Sequence, residues 1–416
     1  MDSTRPPASL ERPRPRAIHA VVLLTTSGLT SMVTAVLGPS LPKMQAHFAG
    51  VTNADYWVPL TLTVPMLVMA ALSVFAGALS DRIGRKRLLV GSTALYSICG
   101  TAPLYLDSLS SIVLSRVGLG IMEAVLMTIS TCMIGDYYQG TQRGKYMSLQ
   151  TTVAATLAFT FNLLGGLLGE LGWRAPYSMY AIGAPLALLM AIYLWEPVRR
   201  NCAAVAPNPV DPPEVTFRPL SLLGICVLAV VGGIVFLIVP IHLGYLFGLL
   251  GVRSSSQIGM AYALNSVGVV LGTLSFGWVI APRLRVAAQL ALCFAVAGGG
   301  LLLMMSANTY WGLTLAAMTN GFGAGLMLPT LVTWNMRELP FAQRGLGTGA
   351  FQSSIFLGMF LNPLVIVTLG RLLGSRAAGV GAAGVAVLAA ALVAVIAALV
   401  TRRPEPERTV QPFTGH

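Results

Sequence analysis

Twelve separate stretches of about 20 mostly apolar residues run through this chain, each long enough to cross a lipid bilayer as a helix. They lie at 17–38, 56–79, 88–106, 110–133, 147–169, 175–195, 219–246, 257–280, 286–306, 310–334, 345–370 and 377–400. Of the 416 residues 55% are hydrophobic and only 10% are charged, and the mean hydropathy is +0.76. A soluble domain does not bury so much apolar surface. The sequence therefore predicts an all-α membrane protein with twelve transmembrane helices.

The basic residues are distributed unequally among the loops that join these segments. If both termini are cytoplasmic, the inner loops and tails hold 20 of the 26 Lys and Arg residues. The predicted outer loops hold Lys43, Arg174, Arg253, Arg371 and Arg376. Because positive residues favour the cytoplasmic side, we expect both termini in the cytoplasm. The net charge of +12 then reflects topology and attraction to inner-leaflet lipid, and we expect no nucleic-acid partner.

The start of the chain resembles a secretory signal, because four arginines precede its first apolar run. That run is long enough to span the membrane and ends without a clean cleavage site, so we interpret it as a retained helix. The five cysteines are scattered, and no metal-binding spacing occurs. The sequence shows no phosphate loop and no nucleophile–base pair. We expect no metal, no cofactor and no enzymatic activity.

A proline-rich polar segment at 196–218 divides the chain into two halves, 1–195 and 219–416. Its 23 residues are too few for a core, so it is interpreted as a cytoplasmic linker. The halves match at an offset of about 200 residues: Gly77 with Gly277, Gln142-Arg143-Gly144 with Gln343-Arg344-Gly345, and Asn162 with Asn362. These matches indicate duplication of a six-helix unit, a pattern of secondary transporters whose substrate site lies between the repeats.

A short charged turn at 77–87 joins the second and third apolar segments. It contains five charged residues, Asp81, Arg82, Arg85, Lys86 and Arg87. The second half keeps the basic residues of its corresponding turn but has Ala281 in place of the acid. Topology alone explains the shared basic residues, whereas Asp81 needs a reason specific to the first half.

With these features the chain resembles the major facilitator superfamily of transporters over its whole length. The turn at 77–87 is similar to that family's signature between helices 2 and 3. Arg116, Gly120 and Ala124 in predicted helix 4 resemble its second motif. Asp136 and Arg143 resemble its acid–base relay, and Glu338 and Arg344 are a looser copy. Within the family the chain most resembles the drug and metabolite:proton antiporters, because predicted helix 5 contains Gly165-Gly166. It has Phe161-Asn162 where that group often has Gly-Pro.

The resemblance implies roles for particular residues. Asp81 would form a latch with the opposite half on the cytoplasmic side; the alternative is a charged turn that only sets topology. The residues expected to control conformation are Gly77, Asp81, Arg82, Gly84, Arg85, Asp136 and Arg143. Family architecture also implies a central substrate cavity, with candidates Thr30, Thr34, Asn162, Asn265, Asn320 and Asn362. Each of these six has the alternative role of a hydrogen bond between helices.

Only Arg116 and Glu123 place charges well inside a predicted helix. They are seven residues apart and share one helix face, about 10 Å apart along the axis. A charge at this depth costs about 3 kcal/mol or more, so we expect both to serve function. Burial favours neutral Glu123 and nearby Arg116 favours the carboxylate, which suits a proton-coupling pair. The alternatives are an Arg–Glu clamp between helices, a snorkelling position, and substrate contact without protons.

The leading interpretation is a proton-coupled exporter of small organic molecules, such as a drug, siderophore or other metabolite, in a bacterial inner membrane. An uptake symporter for an organic acid or nutrient is the first alternative, and a membrane sensor without transport is the second. We expect a monomer whose partners are its small-molecule substrate, protons and membrane lipid.

Overall fold

The computed structural model describes residues 17–138, 140–196, 219–339 and 344–400. Within these ranges the side chains at 73–82, 140–141, 148, 338, 344–346 and 397–400 are not described. Several predictions therefore lie outside the described side chains, namely those on Gly77, Asp81, Arg82, Glu338 and Arg344. Nearly all of the predicted linker lies outside the described residues as well.

The described residues form helices joined by short turns. The helices are α1 (Ala17–Leu29), α2 (Met32–Leu37), α3 (Leu41–His47), α4 (Ala54–Ile83), α5 (Arg85–Thr101), α6 (Leu109–Tyr137), α7 (Gly140–Glu170), α8 (Gly183–Tyr193), α9 (Pro219–Leu249), α10 (Ser255–Ser275), α11 (Ala281–Arg283), α12 (Val286–Ser306), α13 (Tyr310–Glu338), α14 (Arg344–Leu372) and α15 (Arg376–Val400). A 3-10 helix at Ala175–Ile182 leads into α8, and a π-helical turn at Phe276–Ile280 joins α10 to α11.

Ten helices in the described part of the chain are long and apolar enough to cross a membrane. A bent pair, Ala17–Leu29 with Met32–His47, makes an eleventh if its two arms at 50° form one span. The predicted segment 88–106 corresponds to α5, which has 17 residues and then gives way to a 3-10 turn at Ala102–Leu104. The structure thus supports an α-helical membrane protein with ten or eleven spans by this measure, and the predicted count of twelve is not established.

The helices before and after residues 197–218 pack mainly among themselves. In the first group α6 packs against α4 and α5, and in the second α12 packs against α13 and α15. The two groups, which we call the first and second bundles, meet mainly where α4 packs against α14 and α7 against α10. One large cluster of buried apolar side chains lies mostly in the first bundle, and two further clusters lie in the second.

Successive spans run in opposite directions, so the turns gather at two ends. We call the end that contains Gly84, Tyr138 and Glu196 the linker end, because residues 197–218 follow there. We call the opposite end, which contains Glu170 and Arg371, the distal end. The positive-inside pattern predicts that the linker end is cytoplasmic.

Two adjacent glycines allow α7 to approach helices on both of its sides. A Cβ on Gly165 would lie 2.3 Å from the carbonyl oxygen of Val36 in α2. A Cβ on Gly166 would lie 2.7 Å from the carbonyl oxygen of Ser255, at the start of α10 in the second bundle. The Gly-Gly pair is therefore required by close backbone packing within and between the bundles.

Candidate functional site

A cavity of about 350 Å³ lies between the two bundles. Five of the six predicted cavity residues line it: Thr30, Thr34, Asn162, Asn265 and Asn320. Much of the remaining wall is apolar, and five methionines contribute to it: Met66, Met69, Met127, Met327 and Met359. Flexible, polarizable methionine side chains adapt to ligands of different shape. The cavity size falls in the lower range of small-molecule sites.

The four asparagines predicted to line the cavity differ in their hydrogen bonding. Asn162 donates to the carbonyl oxygen of Ala158 at 2.9 Å and to Ser266 Oγ of the second bundle at 3.1 Å. Asn320 donates to the carbonyl oxygen of Ala297 at 3.0 Å. Asn265 is buried, and its Oδ1 has no hydrogen-bond partner. Hydrogen bonding between helices thus accounts for the amide groups of Asn162 and Asn320, but not for the Oδ1 of Asn265.

Asn362 is not among the residues that line this cavity. It is fully buried between α9 and α14, where its Nδ2 donates to the carbonyl oxygen of Ile234 at 2.6 Å. Its Oδ1 lies 3.1 Å from Nε2 of His242. The structure therefore gives Asn362 the interhelical hydrogen-bonding role that was the alternative to substrate contact.

Glu123 borders the cavity from the middle of α6. Its side chain is fully buried, and neither carboxylate oxygen has a hydrogen-bond partner. Burying an ionised carboxylate without a partner costs far more free energy than burying a neutral carboxylic acid. The surroundings of Glu123 in this conformation therefore suit the protonated acid.

Arg116 lies two turns earlier on the same helix and does not line the cavity. Its Nη2 donates to the carbonyl oxygens of Cys99 at 2.6 Å and Gly100 at 3.0 Å. Its guanidinium carbon lies 5.2 Å from the ring centre of Tyr177 and 5.4 Å from that of Tyr180. Backbone carbonyls and aromatic faces thus hold the buried charge, and Arg116 makes no ion pair with Glu123 among the contacts described.

The linker end of the first bundle is held by a group of polar contacts. Arg85 forms an ion pair with Asp136, and their side chains are 5% and 13% exposed. Glu196 accepts hydrogen bonds from the backbone N–H groups of Arg85 at 2.6 Å and Lys86 at 3.0 Å. A carboxylate at the start of α5 satisfies N–H groups that the helix leaves unpaired.

Two more of the residues predicted to control conformation lie near these contacts. Gly84 precedes α5 with φ of +100°, a conformation that favours glycine. The guanidinium of Arg143 packs against Gly135, where a Cβ would lie 3.4 Å away. Asp136 of the predicted relay forms an ion pair with Arg85, and its functional link to Arg143 stays a prediction.

A second group of contacts, which sequence reasoning missed, joins the two bundles at the distal end. Arg371 donates to both carboxylate oxygens of Asp55, from Nε at 2.9 Å and from Nη2 at 2.7 Å. Across the same boundary Glu170 Oε1 accepts from Ser254 Oγ at 2.6 Å and from the backbone N–H of Ser256 at 2.9 Å. These residues resemble ordinary loop charges in the sequence, and no local pattern shows that they meet.

The tyrosines around Arg116 and the capping role of Glu196 were also missed. Tyr177 and Tyr180 are three residues apart, a spacing that places both on one helical face. That spacing was the available signal, but it does not reveal which charge the rings contact. Glu196 lies at the junction of an apolar segment and a proline-rich one, so it was assigned to the linker.

The sequence model that describes the Major Facilitator Superfamily matches residues 23–252 and 220–416 of this chain. The chain belongs to the Major Facilitator Superfamily. Members of this superfamily are transporters rather than enzymes, which confirms the expected absence of enzymatic activity.

Relatives in this superfamily include both exporters and other transporters. The cephamycin export protein CmcT of Amycolatopsis lactamdurans is 30% identical over 44% of this chain, a match that spans 38% of that protein. The tetracycline resistance protein, class C, of Escherichia coli is 24% identical over 84% of the chain and 89% of its own length. The 3-(3-hydroxy-phenyl)propionate transporter of E. coli strain K12 is 26% identical over 88% of the chain and 93% of its own length. The predicted resemblance to efflux members is thereby supported.

Solved structures of a bacterial homolog of the human lysosomal transporter Spinster share the fold. The inward-facing, occupied form gives a TM-score of 0.74 at 16% identity and covers 94% of this chain and 99% of that one. The inward-facing, unoccupied form gives 0.68 at 15% identity and covers 92% and 95%. At these identities the comparison concerns the fold alone.

Proposed function

We propose that this superfamily member is a proton-coupled exporter of small organic molecules, such as a drug, siderophore or other metabolite, that works by alternating access. Glu123 is the observation that carries the proposal. It is the acidic side chain bordering the cavity between the bundles, among the lining residues that the structure describes, and its carboxylate has no partner. A group that suits the neutral acid in one conformation and meets water in another couples protonation to conformation.

The relatives support the direction of transport. Two of the relatives described above are named for export or drug resistance, and one of these matches over most of its length. The methionine-rich wall suits organic molecules of several shapes. We further propose a monomer in the bacterial inner membrane, with the linker end and both termini in the cytoplasm.

The test is transport in proteoliposomes with an imposed pH gradient. A panel of drugs and metabolites is screened for gradient-dependent flux, and the direction of flux is recorded. Glu123→Gln is expected to abolish the gradient-dependent component while the protein still inserts and binds substrate. Asp107→Asn is the matched control, because that carboxylate is 88% exposed at the distal end. Full pH-driven flux in the Glu123→Gln protein contradicts the proposal.

Uptake by a proton symporter of the same fold is the second candidate. The similarity to the 3-(3-hydroxy-phenyl)propionate transporter, which extends over nearly all of that protein, favours it, as does Phe161-Asn162 in place of Gly-Pro. The same assay separates the two functions. In a proton-coupled exporter, substrate and protons cross the membrane in opposite directions. In a symporter they cross in the same direction.

A further inference from the structure

Four buried polar atoms without hydrogen-bond partners lie in one region of the first bundle. They are Arg116 Nη1, Tyr180 Oη and both carboxylate oxygens of Glu123. All three side chains are fully buried. Buried polar atoms are paired in the great majority of cases, so a cluster of four needs an explanation. Arg116 Nη1 and the Tyr180 hydroxyl carry hydrogens to donate, and the carboxylate of Glu123, when ionised, offers two acceptor oxygens, so these groups are complementary.

Tyr180 lies near both charged groups, Arg116 and Glu123. Its ring lies 5.4 Å from the guanidinium carbon of Arg116, and its hydroxyl is beside that group without making a hydrogen bond of normal geometry. Glu123 lies close enough to Tyr180 for its charge, once ionised, to act on this hydroxyl. Because Arg116 and Glu123 are two helical turns apart, a group between them is needed to connect them.

The packing around Tyr180 is specific. A Cβ on Gly100 would lie 2.4 Å from the Tyr180 ring, so glycine at this position provides room for it. The ring of Tyr96 lies 5.5 Å from the Tyr180 ring, and the Tyr96 hydroxyl donates to the carbonyl oxygen of Leu29 at 2.8 Å. The Tyr96 hydroxyl is therefore engaged elsewhere, whereas that of Tyr180 has no hydrogen-bond partner.

The other elements around Glu123 bring no competing charge among the described residues. Arg116 is the charged group that acts on Glu123, and Tyr96 and Tyr180 are its titratable neighbours. Where α4 and α7 border the same cavity, they contribute uncharged side chains such as Met66, Met69 and Asn162. Thr30 and Thr34, from the bent first span, are also uncharged.

We propose that Tyr180 is a positioning residue that connects Arg116 to Glu123 and sets the pH at which Glu123 exchanges its proton. The inference rests on the proposed function, in which Glu123 carries the coupled proton. When Glu123 releases its proton to water, its carboxylate accepts a hydrogen bond from the Tyr180 hydroxyl, directly or through one water molecule. The Tyr180 oxygen in turn accepts from Arg116 Nη1. Tyr180 keeps its own proton throughout, so only one proton leaves the cluster.

The test compares Tyr180→Phe with Tyr177→Phe. Both variants remove one hydroxyl and keep a ring against Arg116. Tyr177 is the matched control because its hydroxyl is directed to Met44 Sδ, at 3.6 Å. The measurement is an infrared pH titration of purified protein, following the protonated carboxyl band that Glu123→Gln removes.

We expect Tyr180→Phe to move the midpoint of that band to higher pH by about one unit, the size expected for loss of one hydrogen bond to a charged group. Tyr177→Phe is expected to leave the midpoint unchanged. An unchanged midpoint in Tyr180→Phe, or equal shifts in both variants, overturns the proposal.

Transport measurements keep this result separate from the proposed function. If the band shifts in Tyr180→Phe but Glu123→Gln keeps full pH-driven flux, the connection through Tyr180 stands and the coupling role of Glu123 fails. If Glu123→Gln abolishes pH-driven flux and the band does not shift, coupling stands and the role of Tyr180 fails.

Discussion

Glu170 and Arg371 are 201 residues apart and occupy equivalent positions in the two bundles, and each binds the start of a helix in the opposite bundle. Glu170 follows Leu168-Gly169 at the end of α7, and Arg371 follows Leu369-Gly370 near the end of α14. Glu170 binds Ser254 and Ser256 at the start of α10.

Arg371 binds Asn53 and Asp55 of the first bundle, which lie 201 residues before Ser254 and Ser256 in the sequence. It donates to Asn53 Oδ1 at 3.1 Å and to Asp55 at the start of α4. The same contact thus occurs twice with opposite charge, once between α7 and α10 and once between α14 and α4. Both contacts join the bundles at the distal end, and both must break before that end can open.

Arg371→Gln is expected to shift the protein toward conformations in which the distal end is open. The Asp55–Arg371 pair is partly exposed, with side chains 29% and 50% accessible, so the shift in the open-to-closed ratio is on the order of two- to fivefold. Distances between spin labels at Val51, in the exposed turn before α4, and Leu249, at the exposed distal end of α9, measure it in a background without native cysteines. Arg174→Gln is the control, because Arg174 pairs with Asp107 within the first bundle. A similar shift in the control contradicts a specific latch.

Replacing Glu170, the acid of the second contact, is also expected to shift the protein toward distally open conformations. The size of this shift should depend differently on ionic strength. Glu170 accepts mainly from hydroxyl and backbone groups of the opposite bundle, so Glu170→Ala loses hydrogen bonds as well as charge. Glu170→Gln retains an acceptor and is expected to shift the distances less. The two contacts share no partner, so the effects of Glu170→Ala and Arg371→Gln should add. Raising the ionic strength should weaken the Arg371 ion pair more than the Glu170 hydrogen bonds. If salt changes the distances equally in both variants, the two contacts do not differ in this way.

Gly166→Ala tests whether backbone contact between the bundles belongs to the distally closed state. The added methyl group would meet the carbonyl oxygen of Ser255 at 2.7 Å and Cα of Gly259 at 2.9 Å. Overpacking of this kind costs about 1–3 kcal/mol, all of it in conformations where α7 contacts α10. The variant is expected to favour the distally open state in the same distance measurement. Gly91→Ala, at a glycine with open space, is expected to leave the distances unchanged.

The sequence predicted the helical membrane fold, because apolar length is a local pattern that identifies most of the spans. The candidate cavity residues came from polar positions inside the spans together with the family resemblance. Thr30, Thr34, Asn162, Asn265 and Asn320 line the observed cavity, and their contact with substrate stays a prediction. The predicted segment 88–106 forms α5, which has 17 residues followed by a 3-10 turn, and the count of twelve spans stays a prediction. Residue type alone does not distinguish Asn362 from the asparagines that line the cavity. Only the packing of α9 against α14 shows that its side chain contacts His242 instead.

Contacts between segments far apart in the sequence could not be predicted, because they depend on how the helices pack and not on any local pattern. Asp55 and Arg371 are separated by 316 residues, and each looks like an ordinary charge at a membrane boundary. Glu196 likewise becomes a helix cap only because α5 begins beside it. The proposed gating role of Asp81 remains a prediction, since its side chain lies outside the described residues.

Arg85→Gln is expected to destabilise the linker end of the first bundle by more than a change in surface charge would. The Arg85–Asp136 pair is largely buried, and removing one partner of a buried pair typically costs about 3–5 kcal/mol, because the remaining charge stays desolvated and loses this attraction. Thermal unfolding in detergent should show a clear fall in midpoint, and Asp136→Asn should show a fall of similar size. Arg87→Gln, which removes an exposed positive charge from the same turn, is the control and should leave the midpoint nearly unchanged. The double variant Arg85→Met/Asp136→Leu should recover much of the loss, since both buried charges of the pair are then removed. Equal midpoints for Arg85→Gln and Arg87→Gln would show that the basic turn acts through topology alone.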